Sequence, residues 1–391
     1  MRRFFLMLAF LFFAILPGIN AAAQLTQSPI DVAYIVSSSG IETYDVDPQT
    51  GIPTDEGLTV VVPSNFLIVP SANGQFLYVF GANPSTNAAQ LWVYTTNSLG
   101  VPQARPIQHL NVPDMYTFSI DPNGTLAYGV ESTQNSQYET VADIRLFEID
   151  PATGLVTRSK IVATYPPNGP CSSNLDSASL SIIGFNAIGN KMYDTWFCSF
   201  HESTTVTYYT RSVNQSTGGL GADKLTFTWG AGTGGGFDTV VFTAASLIDF
   251  HVPNDYQVGI NSINIYPPSG GTSPLFTCTA TSLEACGYGT GIKVDLSGNY
   301  IFVQTSPDNT QITRLDLPGK SIAATGYYVA GQVLAFSPDD TLVYSETAGQ
   351  GNPYILPIYT FDSTTGGVST TNGAEIAVQQ PFFTLVASVR K

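Results

Sequence analysis

Short apolar runs alternate with tight polar turns along almost the whole chain. In Leu334–Glu346, LAFSPDDTLVYSE, the runs Leu334–Phe336 and Leu342–Tyr344 flank the turn Ser337-Pro338-Asp339-Asp340. Apolar runs bounded by Pro, Asp, Asn and Gly predict β-hairpins. The same phrase recurs upstream as FSIDPNGTLAYGVES, FNAIGNKMYDTW, VDLSGNYIFVQT and VPSANGQFLYVFG. Setting the turns in register places an aromatic at one fixed position seven times: Tyr34, Tyr78, Tyr128, Tyr193, Phe250, Phe302 and Tyr344. A second phrase, a strand and a turn closed by glycine, alternates with the first and ends at Gly51, Gly100, Gly154, Gly218, Gly270, Gly319 and Gly366.

A repeat near 50 residues that carries about four short strands is the sequence form of a β-propeller blade. One blade is apolar on both faces and cannot bury them alone, whereas radial stacking buries both. The expected fold is therefore all-β: a seven-bladed β-propeller of four-stranded antiparallel blades, with strands A to D running outward from the channel. Blade one enters on its B strand, VAYIVSS, and its A strand is missing from the N-terminal end. The last apolar run, Phe382–Ser388, is expected to cross back and close the ring as the innermost strand of blade one.

The phrases Asp121-Pro-Asn-Gly124 with Tyr128, Ser337-Pro-Asp-Asp340 with Tyr344, and Asp150-Pro-Ala-Thr-Gly154 resemble those of the YVTN-repeat and lactonase-type propellers. The resemblance runs over essentially the whole mature chain. It implies a propeller and, as an activity, hydrolysis of a lactone at the channel mouth, as in the 6-phosphogluconolactonase-like members. Members with that activity carry His-rich segments with Arg and acidic side chains there. This chain departs from the pattern: it has no H-x-H segment and few candidate arginines (Arg105, Arg145, Arg211 and Arg314).

The N-terminus changes where the protein is expected to work. Arg2 and Arg3, the apolar stretch Phe4–Leu16, Pro17-Gly18 and Ala21-Ala22-Ala23 have the layout of a secretory signal peptide. Residues 1–23 are read as that peptide and 24–391 as the propeller, secreted or periplasmic, with no membrane insertion after cleavage. Without Arg2 and Arg3, 12 basic side chains face 29 acidic ones. So acidic a surface repels polyphosphates, which excludes nucleic acid as a partner. The four cysteines of an exported chain should pair. Cys278 and Cys286 bracket one loop, TATSLEA, which leaves Cys171 with Cys198.

The A–B and C–D turns are terse and share one face of the disc. The B–C and D–A connections, 81–90, 131–143, 166–179, 230–238 and 279–291, are long and dissimilar, which makes their face the expected working surface. His109, placed in a D–A loop, and His201 with Glu202 beside it are the candidates for a general base. A lone loop histidine is also an ordinary surface residue, and His251 reads as packed between blades. Glu131, Arg145, Arg314 and Tyr354 are the candidate ligand contacts. No metal motif or cofactor fingerprint is present, although backbone carbonyls could hold Ca²⁺ in the channel without leaving a spacing signal. Gly230–Gly236 lacks the Lys-Ser/Thr and the helix of a phosphate loop, and no serine elbow surrounds Ser181 or Ser203. The expectation is a monomeric binding scaffold for a protein, glycan or small molecule, with a lactone hydrolase as the alternative.

Overall fold

The computed structural model describes residues 31–37, 40–59, 64–83, 85–136, 139–171, 177–186, 188–200, 203–231, 237–242, 247–252, 262–267, 272–279, 291–306, 308–347, 354–378 and 386–390. Every regular element among them is a strand. In chain order, β1 (Asp31–Ser37), β2 (Gly40–Val46) and β3 (Pro53–Thr59) belong to blade one. Blade two is β4 (Ser64–Pro70), β5 (Phe76–Ala82), β6 (Ala89–Thr95) and β7 (Gln108–Asn111). Blade three is β8 (Met115–Ile120), β9 (Leu126–Gln134), β10 (Thr140–Ile149) and β11 (Val156–Thr164). Blade four is β12 (Ser177–Phe185), β13 (Lys191–Phe200), β14 (Ser203–Ser212) and β15 (Lys224–Ala231). Blade five is β16 (Phe237–Phe242), β17 (Leu247–Val252), β18 (Ser262–Tyr266) and β19 (Phe276–Thr279). Blade six is β20 (Gly291–Val294), β21 (Tyr300–Ser306), β22 (Asn309–Asp316) and β23 (Ser321–Ala330).

The last strands correct the expected count of seven four-stranded blades: six sheets are blades of that kind. The closing sheet instead has five strands, β24 (Gln332–Phe336), β25 (Leu342–Glu346), β26 (Tyr354–Asp362), β27 (Gly367–Ser369) and β28 (Glu375–Val378). Its long strand β26 takes two outer partners, β27 along Thr360–Asp362 and β28 along Tyr354–Pro357. The Thr371-Asn-Gly-Ala374 turn breaks what would be one outer strand, and Ile358 donates its N–H to the carbonyl of Ala374. Polar, glycine-bearing residues there favour a turn over a continuous ladder.

The C-terminal strand β29 (Val386–Arg390) pairs antiparallel with β1, Asp31 opposite Arg390 and Ile35 opposite Val386. It lies beside both β4 and β24, so the first strands of neighbouring sheets converge on the axis. Residues 1–30, including the expected signal peptide, lie outside the described residues.

The core is a series of apolar layers between neighbouring sheets. One layer joins Ala33, Ile35 and Tyr44 of blade one to Leu342, Tyr344 and Ile358 of the closing sheet. Another joins Val32 and Tyr34 to Leu77, Val79 and Trp92 of blade two. The recurrent aromatic explains itself in these layers. Tyr34, Tyr78, Tyr128, Tyr193, Phe302 and Tyr344, each on the second strand of its sheet, are 0–2% exposed.

The glycine-ended turn is the other half of the device. The hydroxyl of Tyr34 in blade one donates to the carbonyl of Gly100 in the C–D turn of blade two, at 2.9 Å. Tyr128 of blade three does the same to Gly218 of blade four at 3.0 Å. Gly100 adopts φ +83°, and a Cβ there would lie 2.5 Å from Cγ1 of Val32. A side chain is thus refused twice, by the left-handed backbone and by the neighbouring blade.

Two outcomes test this account. Gly100→Ala should cost roughly 1–2 kcal/mol for the left-handed backbone, and about 1–3 kcal/mol more for overpacking Val32. In a Val32→Ala background the overpacking part should shrink, so a double-mutant cycle in urea should show sub-additive losses. Deleting residues 386–391 should abolish the full-length cooperative thermal transition, because β1 then carries an unpaired inner edge.

Candidate functional site

The long-loop face carries a cleft of about 430 Å³ between blades two and three. Blade two supplies Phe80, at the end of β5, with Asn87 and Ala89 across the B–C connection. The crossing to blade three supplies Pro113, Asp114, Met115 and Tyr116, and β9 adds Ser132.

These segments are fixed by their own hydrogen bonds. Asn83 accepts at Oδ1 from the N–H of Ser85 at 2.8 Å, and its carbonyl accepts from the N–H of Asn87 at 2.8 Å. Asn87 takes a left-handed φ of 55°, a conformation Asn tolerates. The chain Asn83 to Gln90 to Asn111 ties the loop to β7, the second bond measuring 2.7 Å. Ser132 donates its N–H to the carbonyl of Asp114 at 2.9 Å, which holds the far wall. The hydroxyl of Tyr116 is engaged by the backbone of Leu180 in blade four, donating to its carbonyl and accepting from its N–H. Its half-exposed ring is therefore held toward blade four, and burial raises the pKa of its phenol. The cleft is preformed.

Phe80 and Met115 give apolar surface, while Asp114, Asn87 and Ser132 supply a carboxylate, an amide and a hydroxyl. No His, Cys, Lys or Arg is among the lining residues.

Beside the cleft the fold assembles two of the sequence candidates. Glu131 faces Met115 across the β8–β9 ladder and Asp143 across the β9–β10 ladder, while Arg145 pairs with Gly129. Cross-strand partners share a side of the sheet, so Glu131 and Arg145 both face blade two. Nε of Arg145 donates to Oε1 of Glu131 at 2.6 Å, and Arg158 binds the same oxygen. Burial works to raise the Glu131 carboxyl, but the hydrogen bonds and charges of the two arginines outweigh it and hold it below the usual range.

The other candidates are scattered. His109 is not in a loop near the channel, as expected from the sequence, but on β7, the outermost strand of blade two. There it stacks on Trp92 with ring centroids 5.1 Å apart. The residues around it, QHLN, have only a weak strand pattern, so the pairing with β6 was not legible locally. Arg314 is exposed near the short-turn end of β22, away from the long loops. Tyr354 begins β26 on the long-loop side, opposite Val378. His201 and Glu202 lie outside the described residues, as does the side chain of His251. The expected loop 131–143 is mostly ladder, since β9 runs to Gln134 and β10 starts at Thr140. Its polar sequence is an exposed hairpin extension.

A disulfide joins Cys171, in the connection from blade three to blade four, to Cys198 on β13. Cys278 is also disulfide-bonded, and its expected partner Cys286 lies outside the described residues. Under the pinned connection, Asp194 (0% exposed) accepts from the Tyr165 hydroxyl at 2.5 Å and from Nε of Arg211 at 3.3 Å. Burial pushes its carboxyl up to about 6 against the pull of Arg211. Asp194 and Arg211 both belong to blade four, and the Tyr165 hydroxyl ties the end of blade three to them, an arrangement sequence spacing did not single out. Among the described residues no group of three or more His, Cys, Asp or Glu is placed to hold a metal ion.

No family profile matches the chain, and no curated protein matches its sequence. Solved structures do. A protein of Bacteroides uniformis named as a candidate 6-phosphogluconolactonase superposes with TM-score 0.56 at 15% identity, over 91% of this chain and 99% of its own. A like-named protein of Bacteroides fragilis gives TM-score 0.56 at 15% identity, over 93% and 99%. The chain has their β-propeller fold. A hypothetical selenium-binding protein of Sulfolobus tokodaii matches with TM-score 0.50 at 10% identity, over 93% of both chains.

The Glu131 pair yields a pH prediction. A depressed carboxyl stabilises above its ordinary pKa of 4.5 and loses that contribution as pH falls through the folded value. Glu131→Gln should therefore be less stable than the parent at pH 7. The gap should narrow as melting is followed down to pH 3.

Proposed function

We propose that the protein is an exported, secreted or periplasmic, propeller that binds a neutral hydroxyl-bearing ligand, a sugar or short glycan, in the cleft between blades two and three. The preformed cleft carries this reading: Phe80, which stacks on Phe118 of blade three, lines it together with a carboxylate, an amide and a hydroxyl on braced loops. Aromatic faces pack on the apolar faces of sugars, and carboxylate and amide groups bond ring hydroxyls. The lining has no cation for a phosphate, and the chain carries a net charge of −15. The Cys171–Cys198 disulfide is consistent with an oxidising compartment.

A second reading is hydrolysis of an unphosphorylated sugar lactone in the same cleft. The fold likeness to the two Bacteroides proteins named as candidate 6-phosphogluconolactonases favours it. Asp114 would then draw a proton from water as the hydroxide adds to the lactone carbonyl. The ring C–O bond breaks, and the alkoxide takes the proton up to leave an open-chain hydroxy acid.

Titration calorimetry against neutral oligosaccharides and sugar lactones separates the two readings. The binding reading expects association without turnover, weakened at least tenfold by Asn87→Gly and by Asp114→Asn, with melting temperatures near the parent's. Turnover abolished by Asp114→Asn would replace it with the hydrolase reading. Binding unaffected by either change would reject the cleft.

A further inference from the structure

The five described A–B turns repeat one design with a single departure. The first residue of each turn caps the strand that follows. Ser71, Asp121, Asn186, Asp295 and Ser337 accept, through a side-chain oxygen, the N–H five residues on, at 2.8–3.0 Å. The fourth position adopts a left-handed backbone in all five, with φ between 63° and 75°. It is glycine at 74, 124, 189 and 298, and Asp340 in the closing sheet.

The side chain that the other turns lack reaches the turn of blade six. Oδ1 of Asp340 accepts from the N–H of Leu296 at 3.3 Å, while Oδ2 is buried without a hydrogen-bond partner. The charged group beside it is Asp295, the residue before Leu296, whose Oδ1 is committed to the N–H of Tyr300 and whose Oδ2 accepts from the Ser297 hydroxyl. On its own turn, Asp339 is turned away and bonds Ser337 and Thr341. Asp295 is 2% exposed and Asp340 8%. Two carboxylates buried this close cannot both stay ionised without a cation or a proton between them. Ca²⁺ takes six to eight oxygens, and only two carboxylates meet here.

We propose that Asp295 and Asp340 share a single proton and form a pH-operated latch between blade six and the closing sheet, on the face opposite the cleft. In the protonated state one carboxyl donates to the other, satisfying the orphaned oxygen and joining the two turns. Loss of the proton leaves like charges facing each other across the junction. Burial, and then the charge of Asp295, push the Asp340 carboxyl up to about 7 from 3.8. A raised carboxyl stabilises fully at low pH and loses that contribution as pH rises between about 4 and 7.

The test compares the full chain with Asp340→Asn and Asp340→Gly, the latter restoring the residue of the other turns. Melting temperature is followed from pH 4 to 9, with and without CaCl₂, and protonated carboxyl bands by infrared difference spectroscopy. The latch expects the parent to fall relative to both variants between pH 4 and 7 and then run parallel to them. It also expects a protonated-carboxyl band at pH 6 in the parent, absent from Asp340→Asn. Curves parallel over the whole range, or no such band, would overturn it. So would a calcium-dependent rise at pH 8 in the parent alone, since that would make the occupant a cation.

Discussion

Everything in this molecule rests on the burial of two apolar faces per sheet, which a single blade cannot achieve. Each sheet is stable only because its neighbours cover it, so the contact between adjacent sheets is the unit of stability. At the junctions of blade one with two and of blade three with four, that contact combines a non-directional apolar layer with one directional bond, the tyrosine hydroxyl of one blade on the glycine turn of the next. The layer supplies the free energy. The bond sets the register in which two twisted sheets meet.

The economy of that design explains how the two faces of the disc differ. Where a turn must nestle under a neighbouring tyrosine, its length and its glycine are fixed by the fit. The other ends of the strands have no such neighbour to satisfy. Their connections are free to vary, and the cleft between blades two and three is built there from loops braced by Asn83, Gln90 and Asn111. The departure at Asp340 lies on the constrained face, where a changed residue must act on the adjoining sheet.

The fold was legible because the signal was repeated. Tyr34, Tyr128 and Tyr344 stand at one position of one phrase, and repetition turned a weak hairpin pattern into an architecture. The closing sheet was misread because a single outer strand was expected, and nothing local says that β26 is long enough to pair on both sides of Thr371-Asn-Gly, with β27 and with β28. The cleft was not legible. Phe80, Asn87, Tyr116 and Ser132 carry no motif and come from separate stretches of chain. Glu131 and Arg145 were visible as charged residues, but their pairing needed the β9–β10 register, and Arg158 needed β11 as well. His109 attracted attention by residue type alone, and its stacking on Trp92 shows how little type says without an address.

The pairing of β29 with β1 ties Val386–Arg390 to Asp31–Ile35, almost the full length of the chain apart. During synthesis the first sheet to emerge is therefore the last to be completed. Blade one must wait, with an open inner edge, until every later sheet has been delivered and the terminus returns. Contacts of such high sequence separation form late and slow folding.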